Sequence, residues 1–146
     1  MSSNNLTIDI DTHGLIADLQ KLIKIPSVSA RKQNLEECAK EIAKMMKGIG
    51  IKAELLYLES DQKNSTMIPP VVYGEVKSKS NPNGKTLLFY NHYDVQPEEP
   101  IDLWDYEPFE GKVDGNLIYG RGASDDKGEL VTRLKAIEYF LKSRGD

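Results

Sequence analysis

A continuous apolar run, TLLFYN at residues 86–91, comes directly after the turn residues of KSNPNGK. A strand with one wet face alternates apolar and polar side chains, whereas this run is apolar at nearly every position. That pattern is typical of a strand covered on both faces, as in a parallel sheet with helices on each side. The run therefore predicts a buried strand in a layered fold.

Helical periodicity surrounds this run, and local signals give the bounds of each helix. Three helices are predicted: from Asp11 or Thr12 to Ile25, before Pro26; from a cap at Asn34 to Gly48 or Gly50; and from Lys127 to Ser143, capped by Gly145. Strands are predicted in IKAELLYLE and VVYGEVKS, and a hairpin about Asp114 and Gly115 in EGKVDGNLIYG. The order predicts an α/β fold, a mainly parallel sheet flanked by helices.

Composition narrows the class of partner. The 146 residues suit one domain, and the net charge of -4 comes from acidic and basic residues mixed along the chain, so nucleic acid is not an expected partner. No apolar run approaches the roughly 20 residues that span a bilayer, and MSSNNLTIDID lacks the features of a signal peptide. One cysteine, Cys38, cannot build a disulfide framework. We therefore expect no membrane contact and a cytoplasmic location.

The first candidate site follows the apolar run, where His92 and Asp94 stand two residues apart. In an open α/β sheet, ligands bind beyond the carboxyl ends of strands. A neutral imidazole is a good zinc ligand, and a nearby carboxylate fixes its tautomer and raises its basicity. The alternative is a surface histidine beside a turn-forming aspartate, and the pair by itself leaves both interpretations open.

The second candidate site is YGRGASDDKGEL, where Asp125 and Asp126 precede the last predicted helix. Either carboxylate could cap that helix by accepting backbone N–H bonds. Alternatively, Asp125 could bridge two divalent cations, since the surrounding glycines allow the backbone to approach closely.

The chain resembles the di-zinc exopeptidase and deacylase family in three stretches that occur in the family's order: NHYDVQP, the loop with Trp104 and EPF, and DGNLIYGRGASDDKG. That family includes carboxypeptidase G, aminoacylase, acetylornithine deacetylase, succinyl-diaminopimelate desuccinylase and the carnosinase-type dipeptidases. LIKIPSVS near the start is similar to the family's opening, and NHYDVQP with SDDKG is most similar to the dipeptidase branch.

The resemblance implies a role for each matching residue. His92 corresponds to a zinc ligand, Asp94 to the aspartate that orients it in catalysis, and Asp125 to the carboxylate that bridges both metals, joined to Asp126 by a cis peptide bond. Arg121 and Trp104 match motif positions and are interpreted as structural. The implied cofactors are two divalent ions, zinc first, with cobalt or manganese as alternatives. The implied substrate is a small peptide or an N-acyl amino acid, and the implied complete protein is a homo-oligomer.

The family pattern also has a Glu-Glu pair, a further acidic ligand and a late histidine, which have no match here. Glu36-Glu37 and Glu98-Glu99 have the wrong order and context, so they are interpreted as solvated charge. We therefore expect residues 1–146 to be the N-terminal part of a catalytic domain that is inactive alone, with the rest of that domain and a dimerisation domain outside the chain. The alternatives are a non-catalytic assembly module with the same fold and an N-acyl-amino-acid deacylase.

Overall fold

A computed structural model describes residues 10–58 and 68–144. The predicted cap at Gly145 lies outside these residues. Helices and strands are both present, which confirms the α/β class. In chain order they are α1 (Thr12–Ile23), α2 (Leu35–Gly48), β1 (Lys52–Leu56), β2 (Val71–Glu75), β3 (Lys112–Asp114), β4 (Leu117–Tyr119) and α3 (Lys127–Arg144), with short 3-10 turns at Ser29–Arg31 and Ile101–Leu103.

The three helices follow the predicted bounds closely. Helix α1 begins after Asp11, whose Oδ1 accepts a 2.9 Å hydrogen bond from the backbone N–H of Gly14, and it ends shortly before Pro26. Asn34 stands at the start of α2 with φ 49°, but its side chain makes no capping bond. The apolar faces of the helices meet in one core, formed by Leu19, Leu22, Ile23, Cys38, Ile42, Leu130 and Val131.

Strand pairing differs from the predicted parallel sheet. In the described residues β1 pairs with β2 and β3 pairs with β4, both antiparallel, and the parallel contact is an isolated bridge between Val28 and Val95. The hairpin in EGKVDGNLIYG is confirmed, with Gly115 and Asn116 between β3 and β4. Sheet β1–β2 packs against α2, which covers one of its faces.

The apolar run at residues 86–91 forms no strand in the described part of the chain. Leu87, Leu88 and Tyr90 are largely exposed, and Leu88 reaches 86%. The prediction of a strand buried on both faces is therefore wrong for these residues. Apolar composition shows that a segment favours burial, but burial also needs neighbouring strands and helices to cover it. No helix in the described residues is long and apolar enough to cross a membrane.

Helix α3 is joined to the end of α1 by a buried lysine. Lys127 is fully buried, and its Nζ donates hydrogen bonds of 2.8 Å to the Leu22 carbonyl and 2.7 Å to the Ile25 carbonyl. Burial lowers the pKa of Lys127. The contact fixes the start of α3, and with it the adjoining SDD segment, against the body of the protein.

Candidate metal centre

The three predicted site residues, His92, Asp94 and Asp125, lie together. His92 Nε2 is 3.0 Å from Asp125 Oδ1, across 33 positions of sequence. On the other side of the ring, His92 Nδ1 is 3.0 Å from the Asp94 carbonyl and 3.2 Å from Asp94 Oδ1. The Asp125 side chain is 86% exposed, so the pair faces solvent at the molecular surface. The folded chain thus joins the two candidate sites into one.

Both sides of the imidazole meet oxygen acceptors, which affects its protonation. Partial burial opposes the charged ring, but the Asp94 carbonyl and the Asp125 carboxylate outweigh this and raise the pKa of His92. A metal ion binds the neutral ring, so binding at Nε2 would displace a proton. Asp94 would then accept from Nδ1–H and leave the Nε2 lone pair directed at the ion.

Asp126 contacts the same segment, a contact that the sequence did not predict. Its Oδ2 accepts hydrogen bonds of 2.8 Å from Asn91 Nδ2 and 3.0 Å from the His92 backbone N–H. The peptide bond between Asp125 and Asp126 is cis, as the resemblance implies. Through the two hydrogen bonds, the carboxylate of Asp126 joins the start of the last helix to the His92 segment.

The segment after His92 is held by a turn near the start of the chain. Buried Ser27 donates a 2.6 Å hydrogen bond from Oγ to the Tyr93 carbonyl, and the backbone N–H of Val95 donates a 2.9 Å bond to the Ser27 carbonyl. Val28 pairs with Val95 in the parallel bridge. Ser27 and Val28 belong to LIKIPSVS, so the stretch that resembles the family's opening contacts the segment after His92.

The acidic loop beside the site is built around Trp104. Its Nε1 donates a 2.8 Å hydrogen bond to the Glu98 carbonyl, and the Arg121 guanidinium lies 5.0 Å from the ring centre. This agrees with the structural interpretation of both residues.

The two Glu-Glu pairs differ in their surroundings. Glu36 is partly exposed on α2 in a 2.8 Å ion pair with Lys40, as expected of surface charge. Glu98 is not simply solvated, because its side chain is 18% exposed and pairs at 2.9 Å with Arg31, which also contacts Glu99. Hydrogen bonding to Arg31 lowers the pKa of Glu98. The prediction of solvated charge is therefore wrong for Glu98, because its partner Arg31 lies 67 residues away, a contact that the sequence does not reveal.

The donor set of the site suits a divalent cation, since imidazole nitrogen and carboxylate oxygen are common zinc ligands. With bonds of about 2.0–2.2 Å, two ligand atoms on one tetrahedral zinc lie roughly 3.3 Å apart, close to the 3.0 Å between His92 Nε2 and Asp125 Oδ1. Within residues 10–58 and 68–144, no group of three or more His, Cys, Asp or Glu could hold a metal ion. The described residues therefore fit part of a metal site.

Comparisons with known proteins identify a peptidase family that the chain is similar to. Residues 88–146 match the family described as Peptidase family M20/M25/M40. Over 138 residues the chain is 36% identical to the Cys-Gly metallodipeptidase dug1 of Schizosaccharomyces pombe, covering 90% of this chain and 28% of that protein. Over 128 residues it is 37% identical to the succinyl-diaminopimelate desuccinylase of Blochmanniella floridana, covering 88% of this chain and 30% of that protein.

A solved structure extends the likeness to the fold. The M20 family metallo-carboxypeptidase from Sulfolobus solfataricus matches with a TM-score of 0.77 at 38% identity, covering 89% of this chain and 28% of that one. The chain thus spans less than a third of the length of these relatives. In its motifs, its sequence and its fold, the chain resembles the M20/M25/M40 peptidase family.

Proposed function

We propose that this chain supplies part of a two-metal site that hydrolyses an amide or peptide bond. The observation that carries the proposal is the 3.0 Å approach of His92 Nε2 to Asp125 Oδ1, with the opposite ring nitrogen held by Asp94. A histidine with one nitrogen facing a carboxylate and the other held by the carbonyl and carboxylate of a second aspartate has the arrangement of an oriented metal ligand.

The roles follow from the atoms that each residue presents. His92 would hold one ion through Nε2, Asp94 would hold the ring tautomer, and Asp125 would contribute a carboxylate to both ions. Two bound divalent ions, zinc foremost, would supply Lewis acidity to the amide carbonyl and activate a water. The exposure of Asp125 leaves its carboxylate open to a second ion.

The remaining ligands and a glutamate base would come from residues other than those described. A catalytic zinc ordinarily takes three protein ligands, whereas the described site offers two. We therefore retain the proposal that residues 1–146 form the N-terminal part of a larger catalytic domain, inactive alone. A homo-oligomeric complete protein and a cytoplasmic location also stay predictions.

The substrate class is proposed from the relatives. One is a Cys-Gly metallodipeptidase and another a Beta-Ala-His dipeptidase from Mus musculus, 32% identical over 148 residues, so a dipeptide is the first candidate. The desuccinylase relative favours an N-acyl amino acid as the second. The alternative to an enzyme is a non-catalytic assembly module, which is favoured by the small number of metal ligands among the described residues.

Hydrolysis by the completed site tests the proposal. The chain would be assayed alone and as part of a polypeptide carrying the remaining ligands, loaded with zinc, cobalt or manganese, against Cys-Gly and an N-succinyl amino acid. We expect hydrolysis by the completed protein, with the dipeptide preferred. His92→Ala and Asp125→Ala should each lower kcat/KM by more than about 100-fold, because loss of an outer-shell partner alone costs about 10- to 100-fold in affinity or activity.

His13→Ala is the matched control, since His13 is an exposed histidine in the first turn of α1. It should leave kcat/KM unchanged. Near-normal turnover in His92→Ala would reject the metal site. A completed protein that hydrolyses neither substrate with any of the three metals would favour the assembly module, and preference for the succinylated substrate would favour the deacylase.

A further inference from the structure

The segment that carries His92 lacks the support of a sheet within the described residues. Leu87, Leu88 and Tyr90 precede it without strand pairing and are largely exposed. The bridge between Val28 and Val95 comes only after it. The bond from Ser27 to the Tyr93 carbonyl holds the chain just after His92, whereas His92 itself and the residues before it are held by contact with another element.

Helix α3 and the residue before it provide that contact. Asp126 Oδ2 accepts both the 2.8 Å bond from Asn91 Nδ2 and the 3.0 Å bond from the His92 backbone N–H. Further along α3, Arg133 Nη1 donates a 2.9 Å bond to the Tyr90 carbonyl. Hydrogen bonds to an ionised carboxylate are about twice as strong as neutral ones. Arg133 also carries a charge, but Asp126 makes two charge-assisted bonds to the segment against one from Arg133, and of these two residues it alone bonds to His92.

A capping role accounts less well for this carboxylate. The start of α3 uses the backbone of Asp126, whose carbonyl accepts a 2.9 Å bond from the Leu130 N–H. The side-chain bonds described for Asp126 go to Asn91 and His92 instead. An oxygen that already accepts two N–H donors is also a poor first choice for a metal ion, in contrast to the exposed carboxylate of Asp125.

We propose that Asp126 is a positioning residue for the metal site: by holding Asn91 and the backbone of His92, it sets the His92 imidazole against the carboxylate of Asp125. The metal-binding part of this inference rests on the proposed function. The positioning part does not, because it concerns contacts between residues of this chain alone.

Two variants of Asp126 and one control separate positioning from general stability. Asp126→Ala removes both accepted bonds, whereas Asp126→Asn keeps an oxygen of the same shape that can accept them without charge. Asp11→Ala is the control, because Asp11 also precedes a helix and accepts a backbone N–H bond, but it caps α1 and its bond goes to Gly14, not to the site. Urea unfolding of each variant reports the cost in stability.

The first measurement uses the metal-free chain. In NMR spectra we expect Asp126→Ala to speed hydrogen exchange of the His92 amide about tenfold or more, as loss of a bond to a charged group implies, and to remove the cross-peak between His92 Hε1 and the Asp125 β-protons. Asp126→Asn and Asp11→Ala should keep that cross-peak. Its survival in Asp126→Ala, with slow exchange, would overturn the proposal whatever the protein's activity.

The second measurement follows zinc binding at the His92 imidazole in the completed protein. We expect Asp126→Ala to weaken zinc binding about 10- to 100-fold, the usual effect of removing a residue that orients a metal ligand. Asp126→Asn should recover most of the affinity, and Asp11→Ala should have wild-type affinity despite its own loss of stability. Equal weakening in Asp11→Ala and Asp126→Ala would reject a positioning role. Absence of a zinc response at His92 in the wild type would reject the proposed function and the metal-binding part of this inference, leaving the metal-free result to decide the positioning role.

Discussion

Truncation of Leu22 gives the clearest test of where the core lies. Leu22 is fully buried among the three helices. Leu22→Ala removes three buried carbon atoms, a loss of about 2.4 kcal/mol at about 0.8 kcal/mol each. The cavity left behind adds to this cost, so the free energy of unfolding should fall by about 3–4 kcal/mol. Urea unfolding followed by far-ultraviolet circular dichroism measures the change, with an unaltered m-value.

The matched control is the same truncation at Leu88, within the apolar run that sequence reasoning places in a buried strand. Leu88 is 86% exposed, so Leu88→Ala should change the free energy of unfolding by less than about 0.5 kcal/mol. If Leu88→Ala costs as much as Leu22→Ala, the run is covered in solution and the description of its surface is wrong. A cost below about 1 kcal/mol for Leu22→Ala would equally contradict the location of the core.

Polar contacts give the remaining predictions. Lys135 lies 2.8 Å from Asp18 and 3.1 Å from Glu138, and all three side chains are less than a quarter exposed. Lys135→Met should therefore lower the free energy of unfolding by about 1–2 kcal/mol at pH 7. The matched control, Lys142→Met at an exposed lysine, should lower it by less than about 0.5 kcal/mol. Burial opposes ionisation of Asp18 but Lys135 outweighs it and lowers the pKa of that carboxyl, while Lys142 and then Lys135 lower the pKa of Glu138. This stabilisation is present above the ordinary pKa values of the two carboxyls and is lost as the pH falls through their lowered folded-state pKa values. The stabilities of wild type and Lys135→Met in urea unfolding should therefore converge at acid pH, and a constant gap would refute the ion pairs. Ser27→Ala, which removes a buried hydroxyl and its 2.6 Å hydrogen bond, should cost about 1–2 kcal/mol in the same assay; an unchanged midpoint would contradict that bond.

Local signals predicted much of the fold. The bounds of α1 and α2 follow from apolar periodicity, from Pro26 and from Gly48, all of which act within a few residues. The hairpin about Gly115 follows from turn chemistry in the same way. Features fixed by neighbouring residues can therefore be read from the sequence without knowledge of the tertiary structure.

Contacts between distant segments were harder to predict. The apolar composition of residues 86–91 favours a buried strand, yet composition does not supply the strands that would cover it. Lys127 counts as a charged residue in any pattern, and its burial depends on two carbonyls more than 100 residues earlier. The bonds that Asp126 accepts from Asn91 and His92 also join segments that are far apart in sequence.

The candidate site falls between these cases. His92, Asp94 and Asp125 were predicted from motif resemblance, and the fold brings all three together. Chemistry at close spacing, such as His92 beside Asp94, is visible in the sequence. The short distance between the His92 and Asp125 side chains, which are 33 positions apart in sequence, depends on the tertiary structure.

The contacts of Trp104 have a spectroscopic consequence. Trp104 is the chain's single tryptophan, bonded to the Glu98 carbonyl and lying beside the Arg121 guanidinium. Its fluorescence therefore reports on the acidic loop beside the candidate site and not on the helical core. The unfolding transitions followed by Trp104 emission and by far-ultraviolet circular dichroism will coincide only if the loop and the core unfold as one cooperative unit. The chain thus carries an intrinsic optical probe of the loop that follows the candidate site in the sequence.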